Sequence, residues 1–147
     1  MGYVESNLQE GEEIKYKAKL HIFLFARPIV FLLLGWLLYG VEPKVIHFVG
    51  IFFLFAGVLS LIRRTLTKIG AMYVVTNKRV ILKEGVISRQ AVDLLLTKCE
   101  GLHIKQSVIG RLFNFGTITV TTGGAISSYP YIVDPLAFRR EINAQIG

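Results

Sequence analysis

The stretch IFLFARPIVFLLLGWLLYG (residues 22–40), continued by VEPK (41–44) and VIHFVGIFFLFAGVLSLIRR (45–64), decides how this chain is read. An apolar run extends unbroken from Ile29 to Val41. Glu42-Pro43-Lys44 interrupts it, and a second run, Val45 to Ile62, stops at Arg63-Arg64. About 18 apolar residues in a helix cross the roughly 30 Å hydrocarbon core of a bilayer. Two runs joined by a short polar break therefore predict a transmembrane helical hairpin over residues 22–64. A buried soluble hairpin is set aside, because too little chain remains to cover it.

Inside this stretch, Arg27 lies about a turn and a half from the start, where a long side chain snorkels back toward the Lys19 side. Pro28 removes a helical hydrogen bond and predicts a kink. Trp36 and Tyr39 suit an aromatic belt at the far end. Gly50 and Gly57, with Ala56 and Ser60, form a small-residue face for packing on Gly35 or on a second copy. His47 reads as a headgroup-level residue without an evident partner.

The flanking charges set the orientation. Lys15, Lys17 and Lys19 precede the first run, and Arg63, Arg64 and Lys68 follow the second, while the connection carries only Lys44. These juxtamembrane basic residues put both termini in the cytoplasm, in a multi-pass protein of the cytoplasmic membrane. They also account for much of the net charge of +7 across 147 residues, so nucleic acid is not implied as a partner. Lipid is.

Outward toward the N-terminus, Met1–Glu13 is polar and acidic and lacks the order of a secretory signal. Ile14, Tyr16, Ala18 and Leu20 then alternate with Lys15, Lys17, Lys19 and His21, a period of two. Two readings are open: a basic lead-in to the membrane, or a strand docking on the later β-region. Outward toward the C-terminus, short alternating segments are separated by Gly, Asn and Pro. Met72–Thr76 and Arg79–Glu84 read as strands around an Asn77-Lys78 turn. Gln90–Leu96 and Gly101–Gln106 follow, the latter with Leu102 and Ile104 on one face. Val108–Phe113 is a helical turn or loop. Thr117–Thr121 and Ala125–Val133 flank a Gly123-Gly124 turn, and Pro130 gives the last strand an edge position. Asp134-Pro135 starts a helix with an apolar stripe of Leu136, Phe138, Ile142 and Ile146. The expected division is 1–21 (N-terminal segment), 22–64 (hairpin) and 65–147 (β-domain).

Three stretches carry a family resemblance: Tyr73-Val-Val-Thr-Asn-Lys-Arg-Val-Ile-Leu-Lys-Glu-Gly85, Gln106-Ser-Val-Ile-Gly-Arg-Leu112 with Phe115-Gly-Thr117, and Asp134-Pro-Leu-Ala-Phe-Arg139. In these the chain resembles the bacterial pleckstrin-homology-like (PH-like) domains of small membrane proteins. The resemblance implies an α+β membrane protein: a two-helix transmembrane hairpin plus an antiparallel β-sandwich or partly open barrel capped by a C-terminal helix. It implies no enzymatic activity, and a role in contacts with proteins or lipids. Cys99 falls where the family pattern leads one to expect an aliphatic residue, and suits a small buried hydrophobe.

The residues themselves supply no catalytic constellation. His21, His47 and His103 lack metal-ligand spacing, Gly123-Gly124 lacks the pattern of a phosphate loop, and Cys99 with His103 has no orienting third group. With a single cysteine there is no internal disulfide, and no cofactor is expected. Two function classes remain. One is a membrane-anchored adaptor or scaffold that binds a membrane protein or a second copy of itself. The other is a module for anionic lipid headgroups. Eukaryotic PH domains hold such groups with basic residues around the first hairpin, for which Lys78, Arg79, Lys83 and Arg89 are the candidates here.

Overall fold

The computed structural model describes residues 4–86 and 90–147. It divides into two compact units. One joins the chain up to His21 to Gly70–Gly147, and the other is Ile22–Ile69. In chain order the elements are β1 (Ile14–Ala18), α1 (Ala26–Tyr39), α2 (Lys44–Gly70), β2 (Met72–Thr76), β3 (Arg79–Glu84), β4 (Gln90–Leu95), β5 (Gly101–Lys105), α3 (Val108–Leu112), β6 (Phe115–Thr122), β7 (Ala125–Val133) and α4 (Pro135–Ile146), with short 3-10 turns between some of them.

The β-unit consists of two antiparallel sheets, ordered β1-β2-β3-β4 and β5-β6-β7. Alternation along β2 and β3 sends Tyr73, Val75, Val80 and Leu82 to one face, paired Tyr73 with Leu82 and Val75 with Val80. All four are buried, as are Ile118, Val120, Tyr129 and Ile132 of the second sheet. The Tyr73 and Tyr129 rings meet edge to face at 5.5 Å, so the two inner faces form one core. Phe138 and Ile142 of α4 close it, and Phe138 reaches Tyr16 of β1 at 6.1 Å between ring centres. Asp134 caps α4 by accepting from the Ala137 N–H at 3.1 Å, and Pro135 occupies the first turn. Only the middle of the expected α4 stripe is covered: Leu136 and Ile146 are exposed at the two ends.

The period-two segment forms β1, the outer neighbour of β2, with Ala18 opposite Tyr73 and Lys17 opposite Val74. Its continuation crosses to the other sheet. Leu20 bridges Ile132, the His21 N–H donates to the Tyr131 carbonyl (2.7 Å), and the Val133 N–H donates to the Lys19 carbonyl (2.9 Å). The β-unit is therefore discontinuous in sequence and extends beyond 65–147. Residues 65–69 belong instead to α2, which runs without a proline to Gly70.

In the other unit, glycine sets the distance between α1 and α2. A Cβ on Gly35 would stand 2.7 Å from the Leu54 backbone nitrogen, one on Gly50 2.6 Å from that of Tyr39, and one on Gly57 2.9 Å from the Leu32 side chain. The small-residue face is thus used within the chain, between its own two helices. Pro28 is the third residue of α1, one turn beyond the 3-10 segment Ile22–Phe25 that leads into the helix. His47 does have a partner, the Tyr39 ring at 3.9 Å between centres. Trp36, Phe48, Phe52 and Phe55 are all exposed.

Candidate binding surfaces

The β2–β3 turn carries Lys78 and Arg79, and its geometry follows from Thr76. The Thr76 hydroxyl accepts from the backbone N–H groups of Lys78 (3.2 Å) and Arg79 (3.0 Å) and donates to Glu12 Oε1 (2.8 Å). This brings the turn against the N-terminal segment. Arg79 Nε donates to Glu12 Oε1 (2.9 Å), one Nη to Asp93 Oδ2 (2.7 Å) and the other to the Asn7 carbonyl (2.8 Å) and Glu12 Oε2 (3.1 Å). Lys78 Nζ donates to the Glu10 carbonyl at 2.6 Å. Asn77 completes the clasp, donating to the Gly11 carbonyl and accepting the Glu13 N–H, both at 3.0 Å.

The ion pair at the centre is dry. The Glu12 side chain has no solvent exposure and that of Arg79 has 12%. Burial pushes the Glu12 carboxyl up, but the hydrogen bonds from Arg79, the Gln9 backbone and Thr76 outweigh it and hold its pKa at about 2. The same segment covers an apolar patch. Val74 and Ile81 point away from the main core yet are buried, because Val4 packs on them with Leu8 and Met72 alongside. Residues 4–13 act as a strap across the outer face of the first sheet.

Lys83 is half-buried near the far end of β3, between Met72 and Ala91 of the neighbouring strands. Arg89 lies outside the described residues. The three candidates within the described residues, Lys78, Arg79 and Lys83, therefore do not gather into one open cluster. Strand order also moves the match with the first hairpin. The β1–β2 connection is the pair of apolar helices, and the Asn77-Lys78 turn is the next connection, at the opposite end of the strands.

Of the juxtamembrane cations, Lys15 pairs with Glu13 at 2.6 Å on the surface, and Lys17 and Lys19 are exposed along β1. Arg63 is exposed on α2, Arg64 is half-buried there, and Lys68 lies over the Phe25 ring at 5.4 Å.

Two further surfaces were not singled out from sequence. Among the described residues, no strand pairs with the outer edge of β4. The second surface surrounds α3, where a groove of about 700 Å³ is bordered by Lys105, Gln106, Arg111, Asn114 and Arg139. Its cations come from three separate elements, so no local motif announces them. Cys99 is half-buried, and burial pushes its thiol up. Among the described residues, no three His, Cys, Asp or Glu side chains gather as metal ligands.

Two antiparallel sheets closed by a C-terminal helix, with exposed grooves and edges, define a PH-like binding module. Residues 21–145 match the family model for the bacterial PH domain, and the chain belongs to that family. A solved structure with the same fold is a DUF1696 family protein with a pleckstrin-homology domain from Shewanella loihica PV-4. It is 8% identical, with a TM-score of 0.50, over 98% of this chain and 90% of that one. No curated protein matches the chain.

Proposed function

We propose that the apolar helices form a transmembrane hairpin with both termini in the cytoplasm. On this reading the PH-like unit is a non-enzymatic adaptor that binds a membrane protein or a second copy of this chain at the cytoplasmic face. The observation that carries the adaptor role is the clasp at the β2–β3 turn. Arg79, the natural headgroup ligand, is committed to Glu12, Asp93 and the Asn7 carbonyl, and Lys78 to the Glu10 carbonyl. A headgroup phosphate would have to displace a buried ion pair, leaving the Glu12 carboxylate uncompensated. The outer edge of β4 offers a partner's strand backbone donors and acceptors at no such cost.

The membrane part rests on the two helices at residues 22–39 and 44–70, long and apolar enough to span, and on their exposed aromatic residues. Full-length chain in intact cells tests both parts. A cysteine at Lys44 is expected to react with an impermeant maleimide from outside, and one at Asn143 only after permeabilisation. A photo-crosslinker at Ala91, exposed on β4, is expected to give a discrete adduct with another membrane protein or with a second copy. Reaction of both cysteines from outside would reject the topology. Absence of any adduct, with anionic vesicles bound through Lys78, would favour the headgroup role instead.

A further inference from the structure

The helical turn α3 is amphipathic in the sense opposite to that of a water-soluble domain. Its glycine faces inward: Gly110 is buried, and a Cβ there would meet the Phe115 carbonyl oxygen at 2.5 Å. Ser107 fixes the turn by accepting the Gly110 N–H at 3.0 Å. The large apolar side chains face out. Val108 is 87% exposed, Leu112 78% and Ile109 50%. Residues four apart stand one above the other on a helix, so Val108 and Leu112 form a single ridge. Scattered apolar residues on a surface are ordinary, but a ridge held outward by a close-packed glycine is a built feature.

Two observations say what covers the ridge. His21, the last residue of the β-unit before the apolar chain departs, stacks on Phe115 at 4.9 Å between ring centres. Phe115 opens β6 immediately after α3, so the ridge lies at the edge of the β-unit from which the apolar chain leaves. The adjoining groove carries Lys105, Arg111 and Arg139, with no carboxylate among the described residues that line it. An apolar ridge flanked by cations suits the boundary between headgroups and acyl chains of an anionic bilayer.

We propose that α3 is a membrane wedge: Val108, Ile109 and Leu112 enter the headgroup–acyl boundary of the bilayer that the hairpin spans. Lys105, Arg111 and Arg139 then rest on anionic headgroups. This inference depends on the membrane-spanning reading of the hairpin, and its test separates the two.

Full-length chain is reconstituted in vesicles of phosphatidylcholine and phosphatidylglycerol. In a Cys99→Ala background, single cysteines at Val108, Leu112, Asn143 and Leu59 carry an environment-sensitive fluorophore. Quenchers are a nitroxide on shallow lipid positions, a nitroxide deep in the acyl chains, and aqueous iodide. Labels at Val108 and Leu112 are expected to be quenched by the shallow nitroxide and severalfold less by iodide than the label at Asn143. Iodide quenching at Val108 and Leu112 equal to that at Asn143 would overturn the wedge. So would shielding from both lipid and iodide, which would assign the ridge to another copy or a protein. The label at Leu59, an exposed position of α2, reports the hairpin. Deep quenching there with no lipid contact at Leu112 rejects the wedge alone, and no lipid quenching at Leu59 rejects the hairpin itself.

Discussion

At the scale of single residues, Arg79 shows how a basic position in a turn becomes structural. Removing one partner of a buried pair strands the other charge, at a cost of about 3–5 kcal/mol. Arg79→Met and Glu12→Gln are each expected to destabilise the β-unit toward that range. The double variant should lose clearly less than the sum, measured as thermal unfolding of the detergent-solubilised chain. Acid should act through the same pair. The Glu12 pKa is depressed from 4.5 to about 2, so the stability it confers is complete above about pH 4.5 and drains away as pH falls toward 2. Glu12→Gln should flatten that loss, and an unchanged acid profile would show that other carboxylates govern it. None of this pairing was legible in the sequence. Glu12 and Arg79 meet only because β1 docks beside β2, and a long-range register has no local signal.

At the scale of elements, sequence periodicity was informative wherever one side of an element is covered by the fold. The period of two over Ile14–Leu20 holds, with Tyr16 and Ala18 opposite the inward-facing Val75 and Tyr73, and Asp134-Pro135 marks the start of α4. It was silent where a second layer covers both sides of a strand, and it misled at the ends of α4. Val74 and Ile81 are buried on the outer face by the strap, and Leu136 and Ile146 lie beyond the sheets' reach. The helix pair offers the clearest test at this scale. Gly50→Leu would drive a side chain into the backbone around Tyr39 and Leu38, at 2.6 and 3.0 Å from the added Cβ. It is expected to separate α1 from α2 at lower sodium dodecyl sulfate, reported by Trp36, the single tryptophan. Gly40→Ala, whose Cβ would find only the Leu37 carbonyl at 3.8 Å, should leave that transition in place. Equal effects of the two would show that close approach at glycine does not hold the pair.

At the scale of the whole molecule, the controlling fact is that the apolar helices interrupt a β-unit rather than precede it. The domain boundary expected at residue 65 follows naturally from hydropathy, which sees where the apolar run ends and is blind to a strand that precedes it. The consequence is specific. Ala18 and Tyr73 are directly opposite in the β1–β2 pair, and antiparallel partners have Cα atoms about 5 Å apart. A few glycine and serine residues can therefore join Leu20 to Gly70 in place of the helices. That variant is expected to be soluble and to give a β-rich circular dichroism spectrum with a cooperative thermal transition. Residues 70–147 alone should fail in both respects. They lack the β1 neighbour of β2, the strap over Val74 and Ile81, and the Leu20–Ile132 bridge between sheets. An unpaired β2 edge beside an uncovered apolar patch is an aggregation site. Cooperative folding of residues 70–147 by themselves would make β1 and the strap accessories to the domain. Failure of the joined variant, with the full chain folded, would show that the helices stabilise the β-unit beyond connecting its strands.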